Sequence, residues 1–178
     1  MDKRRLNELL VSIRDGNEVA FEELYNFSNK SVFMFVYSFV KSKEAAEDIT
    51  QEAFIKIKKF IQSYRPNTNG SAWMLQIAKN LALDYIKKYK NETNIDLAGY
   101  DLPNKQSSSP ELGLILHDLM NRYLTIEERQ IVLLHEVHGY KSREIAKFLN
   151  MPLGTVLWKY NKAIKCLKNK YKEGQNAK

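Results

Sequence analysis

A helix near the C-terminus carries side chains suited to binding duplex DNA. A threonine, a tryptophan and two lysines recur there at steps of three and four residues, which places them on one helix face. Such side chains can reach base edges in the major groove, and further lysines can bind phosphates. We therefore predict a helix-turn-helix over 124–171. The candidate duplex contacts are Arg143, Thr155, Trp158, Lys159, Lys162 and Lys165.

Two other interpretations of this C-terminal helix stay open. Its lysines could form the solvated face of an ordinary amphipathic helix. Trp158 could be a partly buried structural residue, and Leu157 is apolar where a polar side chain would be easier to explain. The turn and the capped helix that precede it favour DNA binding.

A second set of residues, in the turn 64–70 and the helix after it, combines aromatic rings, amides and cations. Single-stranded DNA is bound by these groups: rings stack on unpaired bases, amides meet base edges and cations bind phosphates. Alternatively, Tyr64 and Trp73 belong to the core and to a hinge. The candidate contacts to unpaired DNA are Tyr64, Arg65, Asn67, Asn69, Trp73, Gln76, Lys79 and Asn80.

A third face lies on the helix predicted over 43–63. Asp48, Gln51 and Glu52 stand at i, i+3 and i+4, and Lys56 follows one turn later. The acidic end disfavours DNA, so this face suits a partner helix of complementary charge. The pattern alone equally fits a solvated helix face.

Helical periodicity runs through nearly all of the sequence and predicts an all-α fold. A first helix ends near Gly16, one or two helices span 19–40, and Ser42 caps the next. Ser71 restarts a helix to about Tyr89, with Leu75, Ala78, Ala82 and Tyr85 facing inward. Thr125 and Glu128 have capping-box spacing.

The region 91–110 loses this periodicity and is rich in Asn, Ser, Pro and Gly, which predicts a flexible linker. We expect a helical domain over 1–90 and a second over 111–178. The net charge of the 178-residue chain is +7, distributed as +4, −2 and +5 over these three segments. Two basic domains indicate two contacts with a polyanion, or simply solubility.

Several classes of function find no support in the sequence. The single cysteine, Cys166, excludes an internal disulfide. His135 and His138 lack the HExxH spacing of a zinc site, and no glycine-rich phosphate loop is present. We expect no catalytic residues, no metal, no cofactor and no enzyme activity. No apolar run approaches the roughly 20 residues of a membrane span, so we expect a cytoplasmic protein without direct membrane insertion.

The motifs, in order, resemble those of bacterial RNA polymerase sigma factors of the sigma-70 family, of the compact extracytoplasmic-function (ECF) type. Residues 46–54 (AEDITQEAF) resemble the motif that binds the polymerase clamp. Residues 72–80 (AWMLQIAKN), with Asp84, resemble the promoter −10 segment. The C-terminal residues that carry the resemblance are Glu144, Ile145, Ala146, Gly154, Thr155, Val156, Lys159, Lys162 and Ala163.

This resemblance implies a role for each face. Asp48, Gln51 and Glu52, with Lys56 beside them, would dock on the clamp helices of core RNA polymerase. The unpaired-DNA candidates would capture the melted −10 strand, and the duplex candidates would bind the −35 element of promoter DNA. The family also implies an anti-sigma protein as a partner.

The sequence departs from the family at the last helix. Lys159 and Lys162 replace arginines, and Leu157 and Trp158 replace polar residues. Lysine offers no planar fork for guanine, which favours phosphate contacts for the two lysines. An alternative function is a helix-turn-helix regulator that acts without polymerase, with the N-terminal domain as a sensor or dimeriser.

Overall fold

The computed structural model describes residues 3–40, 42–93 and 119–176, and within them it contains helices and no strand. The chain divides into two compact units, Met1–Pro103 and Asn104–Lys178. The all-α prediction is confirmed in these described ranges. The predicted linker residues 94–110 lie outside them.

Unit 1 contains four long helices: α1 (Lys3–Arg14), α2 (Val19–Val40), α3 (Lys43–Lys59) and α4 (Gly70–Thr93). A 3-10 turn, Ile61–Ser63, follows α3. Residues 19–40, which the sequence left as one or two helices, form a single helix. It packs against the other three, as α4 also does, so α2 and α4 together form the centre of this unit.

The core of unit 1 is built from the apolar stripes that the periodicity predicted. Leu10 of α1, Phe35 of α2 and Ile57 of α3 are fully buried. On α4, Leu75, Ala78 and Ala82 are buried, but Tyr85 is 37% exposed. The inward prediction for Tyr85 is therefore wrong.

The caps fix where α3 and α4 begin. Ser42 caps α3 as predicted, since its hydroxyl accepts a hydrogen bond from the Ala45 amide at 3.2 Å. Helix α4 begins one residue earlier than predicted, because Asn69 is the residue whose side chain accepts from the Ala72 amide, at 3.1 Å. Ser71 is buried inside the first turn.

Unit 2 is helical at 119–123 and then in α5 (Ile126–Val132), α6 (Ser142–Leu149) and α7 (Leu153–Asn176). A single π-helical turn, Leu133–Val137, extends α5. The capping box at the start of α5 is present as predicted. Asn150 ends α6 in the left-handed conformation, at φ 54°, which asparagine tolerates better than most residues.

The buried stripe of α7 holds unit 2 together. Val156, Ala163 and Leu167 are 0%, 0% and 7% exposed, and α7 packs on both α5 and α6. Ile131 of α5 and Ile145 of α6 are fully buried with them. In the described ranges, no helix combines the length and the apolar character that crossing a bilayer requires.

Candidate nucleic-acid and protein interfaces

Asn7 of α1 holds the loop 64–70 in place. Its Oδ1 atom accepts hydrogen bonds from the Tyr64 hydroxyl at 3.2 Å and from the Gly70 amide at 3.0 Å. Its Nδ2 atom donates to the Thr68 carbonyl at 3.2 Å. One amide thus fixes the two ends and the middle of the loop, and the sequence analysis did not identify it.

Gly70 allows α1 and α4 to approach each other closely. A Cβ atom at this position would lie 2.5 Å from Asn7 Oδ1 and 2.6 Å from Leu10 Cδ1. Both distances are shorter than van der Waals contact, so a side chain at this position would have to displace the Asn7 and Leu10 side chains of α1. The absence of a side chain at Gly70 therefore lets Asn7 come close enough to bind the end of the loop.

Tyr64 is an internal support of the loop. Its side chain is buried, and its ring centroid lies 5.4 Å from that of Trp73. Burial raises the pKa of the Tyr64 hydroxyl. Tyr64 was a candidate for stacking on a base. Its burial contradicts that role, because no ring face is accessible in this conformation. Trp73 is half-buried beside it.

The outer side of the loop carries the accessible groups. Arg65 and Asn67 are exposed, and Asn67 has a φ of 64°. Asn69 is half-buried and its Oδ1 atom caps α4, so this residue has a structural role. Arg65 and Asn67 remain the loop side chains best placed for a nucleic acid.

Helix α4 continues this surface with polar residues. Gln76 and Asn80 are exposed, and Gln76 Nε2 donates a hydrogen bond to Asn80 Oδ1 at 2.8 Å. Lys79 is half-buried, and burial lowers its pKa. The helix therefore brings a pair of amides and a cation together next to the loop, as their spacing predicted.

The predicted partner-binding residues of α3 share one accessible face. Asp48, Gln51 and Glu52 are exposed, and Lys56 is half-buried with its Nζ atom 3.2 Å from Glu52 Oε1. Ile55 lies beside them and is 66% exposed. The sequence analysis missed Ile55 because it lies outside the buried stripe of α3.

Tyr85 of α4 adds an aromatic ring near this face. Its pKa is raised, first by burial and then by the negative charges of Tyr89, Asp48 and Glu44. The negative charge of Asp48 therefore disfavours ionisation of this phenol. Ile55 and Tyr85 supply the apolar and aromatic contacts typical of the core of a protein interface, and the charged groups of α3 fit its polar rim.

The predicted groove-facing lysines of α7 are bound to α5. Lys159 Nζ lies 2.7 Å from Glu127 Oε2, and Lys162 Nζ lies 2.8 Å from Glu128 Oε1. Only 18% of the Lys159 side chain is exposed. These ion pairs give both ammonium groups a carboxylate partner within unit 2, which the lysine spacing alone did not predict.

Glu128 connects the lysine pair to the start of α5. It is buried, and its Oε2 atom accepts hydrogen bonds from the Thr125 amide at 2.9 Å and the Thr125 hydroxyl at 3.0 Å. Burial would raise the pKa of the Glu128 carboxyl, but the hydrogen bonds from Lys162 and Thr125 outweigh it and lower the pKa. The carboxylate is therefore a buried anchor for Lys162.

Among the exposed large hydrophobic side chains that the structure describes on α7, Trp158 is the most accessible, at 60%. The Nζ atoms of Lys159 and Lys162 lie 5.9 Å and 5.3 Å from the centroid of its ring, within the range of cation–π attraction. Thr155 is half-buried, whereas Lys165 and Arg143 are exposed. The accessible groups of the predicted duplex-binding set are thus Trp158, Lys165 and Arg143, with Lys162 partly accessible.

A hydrogen-bonded cluster at the end of the π turn was also missed. Tyr160 donates to Glu136 Oε1 at 2.6 Å, and His135 Nδ1 lies 2.9 Å from the same oxygen. The hydrogen bond to Glu136 raises the pKa of Tyr160 to about 12. His138 is buried. Among the residues that the structure describes, no group of three or more His, Cys, Asp or Glu could hold a metal ion.

Comparison with protein families matches both units. A profile described as Sigma-70 region 2 matches residues 28–92, and one described as Sigma-70, region 4 matches residues 115–167. The chain belongs to the sigma-70 family. Region 2 includes α3, the loop and α4, and region 4 includes the helix-turn-helix. The family consists of transcription initiation factors, which are not enzymes.

Relatives of this sigma factor identify its type. The ECF RNA polymerase sigma factor SigW of Bacillus subtilis is 26% identical over 187 residues, covering 97% of this chain and 98% of that protein. The ECF RNA polymerase sigma-E factor of Escherichia coli K12 is 27% identical, covering 96% of each chain. The chain is an ECF sigma factor, as the resemblance implied. It acts with core RNA polymerase on promoter DNA, and these relatives favour that function over a polymerase-independent regulator.

Solved structures share the fold of this sigma factor. The sigma factor RpoE, in a complex with the anti-sigma factor NepR from Bartonella quintana, matches with a TM-score of 0.66 and 19% identity over 85% of this chain and 96% of that one. CnrH, in a complex with the cytosolic domain of CnrY, matches with a TM-score of 0.63 and 17% identity over 95% and 98%. At these identities the likeness concerns the fold.

Proposed function

We propose that this sigma factor binds core RNA polymerase through the exposed face of α3 and contacts promoter DNA through two separate surfaces. One surface is the loop 64–70 with α4, for the melted −10 strand. The other is the outward face of α7, for the −35 duplex. The observation that carries the proposal is that the family match and the accessible side chains coincide on the same helices.

The α3 face supports polymerase binding by its composition. Asp48 and Gln51 are exposed beside Ile55, which gives the face an acidic group, an amide and an apolar contact within two turns. Glu52 is paired with Lys56 on the surface, and such a pair contributes little to stability. The Glu52–Lys56 pair is thus a weak requirement for folding, which leaves both side chains available to bind a partner.

The −10 surface is supported by the way its amides are held. Asn7 fixes the loop from inside, so that Arg65 and Asn67 stay at its outer side. Gln76 and Asn80 present a hydrogen-bonded pair of amides on α4. Preorganised amides suit the Watson–Crick edges of unpaired bases. Asn69 and Tyr64 act as supports of this surface and make no direct contact.

The −35 surface is supported by the helix-turn-helix and by accessible cations. Lys165 and Arg143 suit phosphate contacts, which position the helix on the duplex. Thr155 lies in the first turn of α7, where side chains reach base edges. Lys159 and Lys162 brace α7 on α5 through Glu127 and Glu128.

We further propose that an anti-sigma protein covers these surfaces in the inactive state and that the protein works in the cytoplasm, where RNA polymerase acts. The fold is that of sigma factors solved with such partners. The domain limits 1–90 and 111–178, with a linker between them, remain our working division.

The polymerase contact is tested by charge reversal. In Asp48→Lys, like charges would meet at the interface, so the Kd for core polymerase should rise roughly tenfold or more, corresponding to at least about 1.4 kcal/mol. Glu22→Lys is the matched control, since Glu22 is an exposed acid on α2. Equal affinities of both variants and the wild type would disprove the α3 site, and unchanged circular dichroism would show that the fold is intact.

A further inference from the structure

Trp158 lies at the centre of the outward face of α7. With about 100° between successive residues of a helix, it is turned roughly 200° away from the buried Val156. Val156 is fully buried, whereas Trp158 is 60% exposed. A large aromatic side chain thus points away from unit 2 on the helix proposed to bind the −35 duplex.

One turn before Trp158, the position on the same side of α7 carries no side chain. Gly154 lies one turn earlier on the same side, and a Cβ atom there would have no neighbour within 4 Å. Gly154 therefore places no side chain between the indole ring and a duplex that approaches along this side of α7.

The ring is held in place from the side of α5. Lys162 Nζ lies 5.3 Å from its centroid and is itself anchored by Glu128, at 2.8 Å. Lys159 makes the corresponding contacts, at 5.9 Å from the centroid and 2.7 Å from Glu127. A braced side chain loses less conformational freedom on binding than a mobile one.

The chemistry of the ring selects what it can recognise. Of the groups in the major groove, the C5-methyl of thymine is the one that an apolar side chain contacts favourably. The lysines next to the ring contact carboxylates through their ammonium groups, so the indole is the member of this group that offers an apolar surface. Lys165, exposed on the same side, supplies a cation for the neighbouring phosphates.

We propose that Trp158 is a specificity-determining residue that recognises one thymine of the −35 duplex through its C5-methyl group. This inference rests on the proposed role of α7 in binding that duplex. Duplex DNA is favoured over a protein surface as the occupant because α7 belongs to the Sigma-70 region 4 match and because Lys165, an exposed cation, lies on the same side of the helix as the ring.

The test selects DNA with the holoenzyme formed from core polymerase and the full chain. The probes are two pools of random duplexes, one containing thymine and one containing uracil, which lacks the methyl group. In the thymine pool, the wild-type protein should enrich thymine at one upstream position by about fourfold, the ratio that corresponds to about 0.8 kcal/mol for one buried methylene. In the uracil pool this preference should vanish.

Variants assign the preference to the ring. Trp158→Ala should lose the preference at that single position and keep the others. Tyr171→Ala should retain it, since Tyr171 is a comparably exposed aromatic residue on α7, at 48%. The uracil pool gives a result with the wild-type protein alone, so the test does not depend on the folding of a variant.

Each other outcome overturns the inference. An equal preference in both pools, or in the wild type and Trp158→Ala, would show that the methyl group is not recognised by Trp158, while the sigma function stands. Failure of Trp158→Ala to assemble with polymerase would assign the ring to a protein contact. No enrichment of any upstream sequence by the wild type would contradict the proposed −35 role itself.

Discussion

Asn7 Oδ1 accepts a hydrogen bond from the backbone amide of Gly70 at 3.0 Å, which joins α1 to the first residue of α4. The side-chain amide of Asn7 also accepts a hydrogen bond from the Tyr64 hydroxyl and donates one to the Thr68 carbonyl. A residue that touches no DNA in the proposed function therefore determines the shape of the loop that does. The family match over 28–92 begins after this helix, so α1 is a support added from outside the matched region.

Asn7→Ala should destabilise unit 1 and impair promoter melting. It removes three hydrogen bonds, two of them part-buried, so we expect a loss of about 1–3 kcal/mol in the free energy of unfolding, measured in urea. Permanganate reactivity of −10 thymines should fall while core-polymerase affinity is retained. Asn26→Ala, at an exposed asparagine of α2, should change neither. Wild-type melting in Asn7→Ala would show that the loop does not need this support.

Two glycines should respond in opposite ways to the same substitution. Gly70→Ala places a Cβ atom 2.5 Å from Asn7 Oδ1, so overpacking should cost about 1–3 kcal/mol. Gly154→Ala meets no atom within 4 Å and lies in a helix, so it should be neutral or stabilising by up to about 1 kcal/mol. Thermal unfolding of both variants measures the contrast. A stabilised Gly70→Ala would mean that α1 does not lie against this turn.

The elements of this fold were predictable from sequence because their signals are local. Stripes at three- and four-residue steps gave the helices, and the pair Thr125 and Glu128 gave the start of α5. Asn150 follows the same rule, because asparagine tolerates the left-handed conformation that it adopts at the end of α6. Helix ends were less exact: α3 ends at Lys59 instead of Ser63, and α4 runs to Thr93, beyond Tyr89.

The side-chain partners were not predictable because they depend on tertiary packing. Asn7 and Thr68 are 61 residues apart in the chain, and no periodicity relates them. Composition likewise cannot distinguish a tyrosine that stacks on a base from one that packs on Trp73, as Tyr64 does. The ion pairs of Lys159 and Lys162 were unpredictable for the same reason, since their carboxylate partners are on another helix.

Glu128 should make the stability of unit 2 depend on pH. Its pKa is lowered in the folded state, so it stabilises the fold fully above its unfolded pKa of about 4.3 and loses this effect as pH falls through the lower folded value. Urea unfolding between pH 7 and pH 3 should show this loss in the wild type. Glu128→Gln should be less stable at pH 7 and approach the wild type at low pH.

The control for this titration is Glu127→Gln. The Glu127 side chain is 50% exposed, and a surface ion pair contributes little. This variant should follow the wild-type pH dependence. If Glu128→Gln also keeps the wild-type slope, the anchoring role of the Glu128 carboxylate is refuted.

Lys165 and Lys159 should differ in their effect on the salt dependence of promoter binding. Lys165 is exposed, so Lys165→Ala should remove a phosphate contact and reduce the log–log salt slope by about 0.9. Lys159 is bound to Glu127, so Lys159→Ala should change the slope less. Holoenzyme binding to a labelled promoter over a range of KCl concentrations measures both slopes. A larger effect of Lys159→Ala would show that its ion pair opens on DNA.

The central claim is that this chain directs core RNA polymerase to specific promoters. Run-off transcription on genomic fragments, with core polymerase and with or without the protein, tests it most directly. We predict discrete transcripts whose start sites appear only when the wild-type protein is added, and which are lost with Asp48→Lys but kept with Glu22→Lys. The same transcripts in the absence of the protein, or none on any fragment in its presence, would contradict the claim.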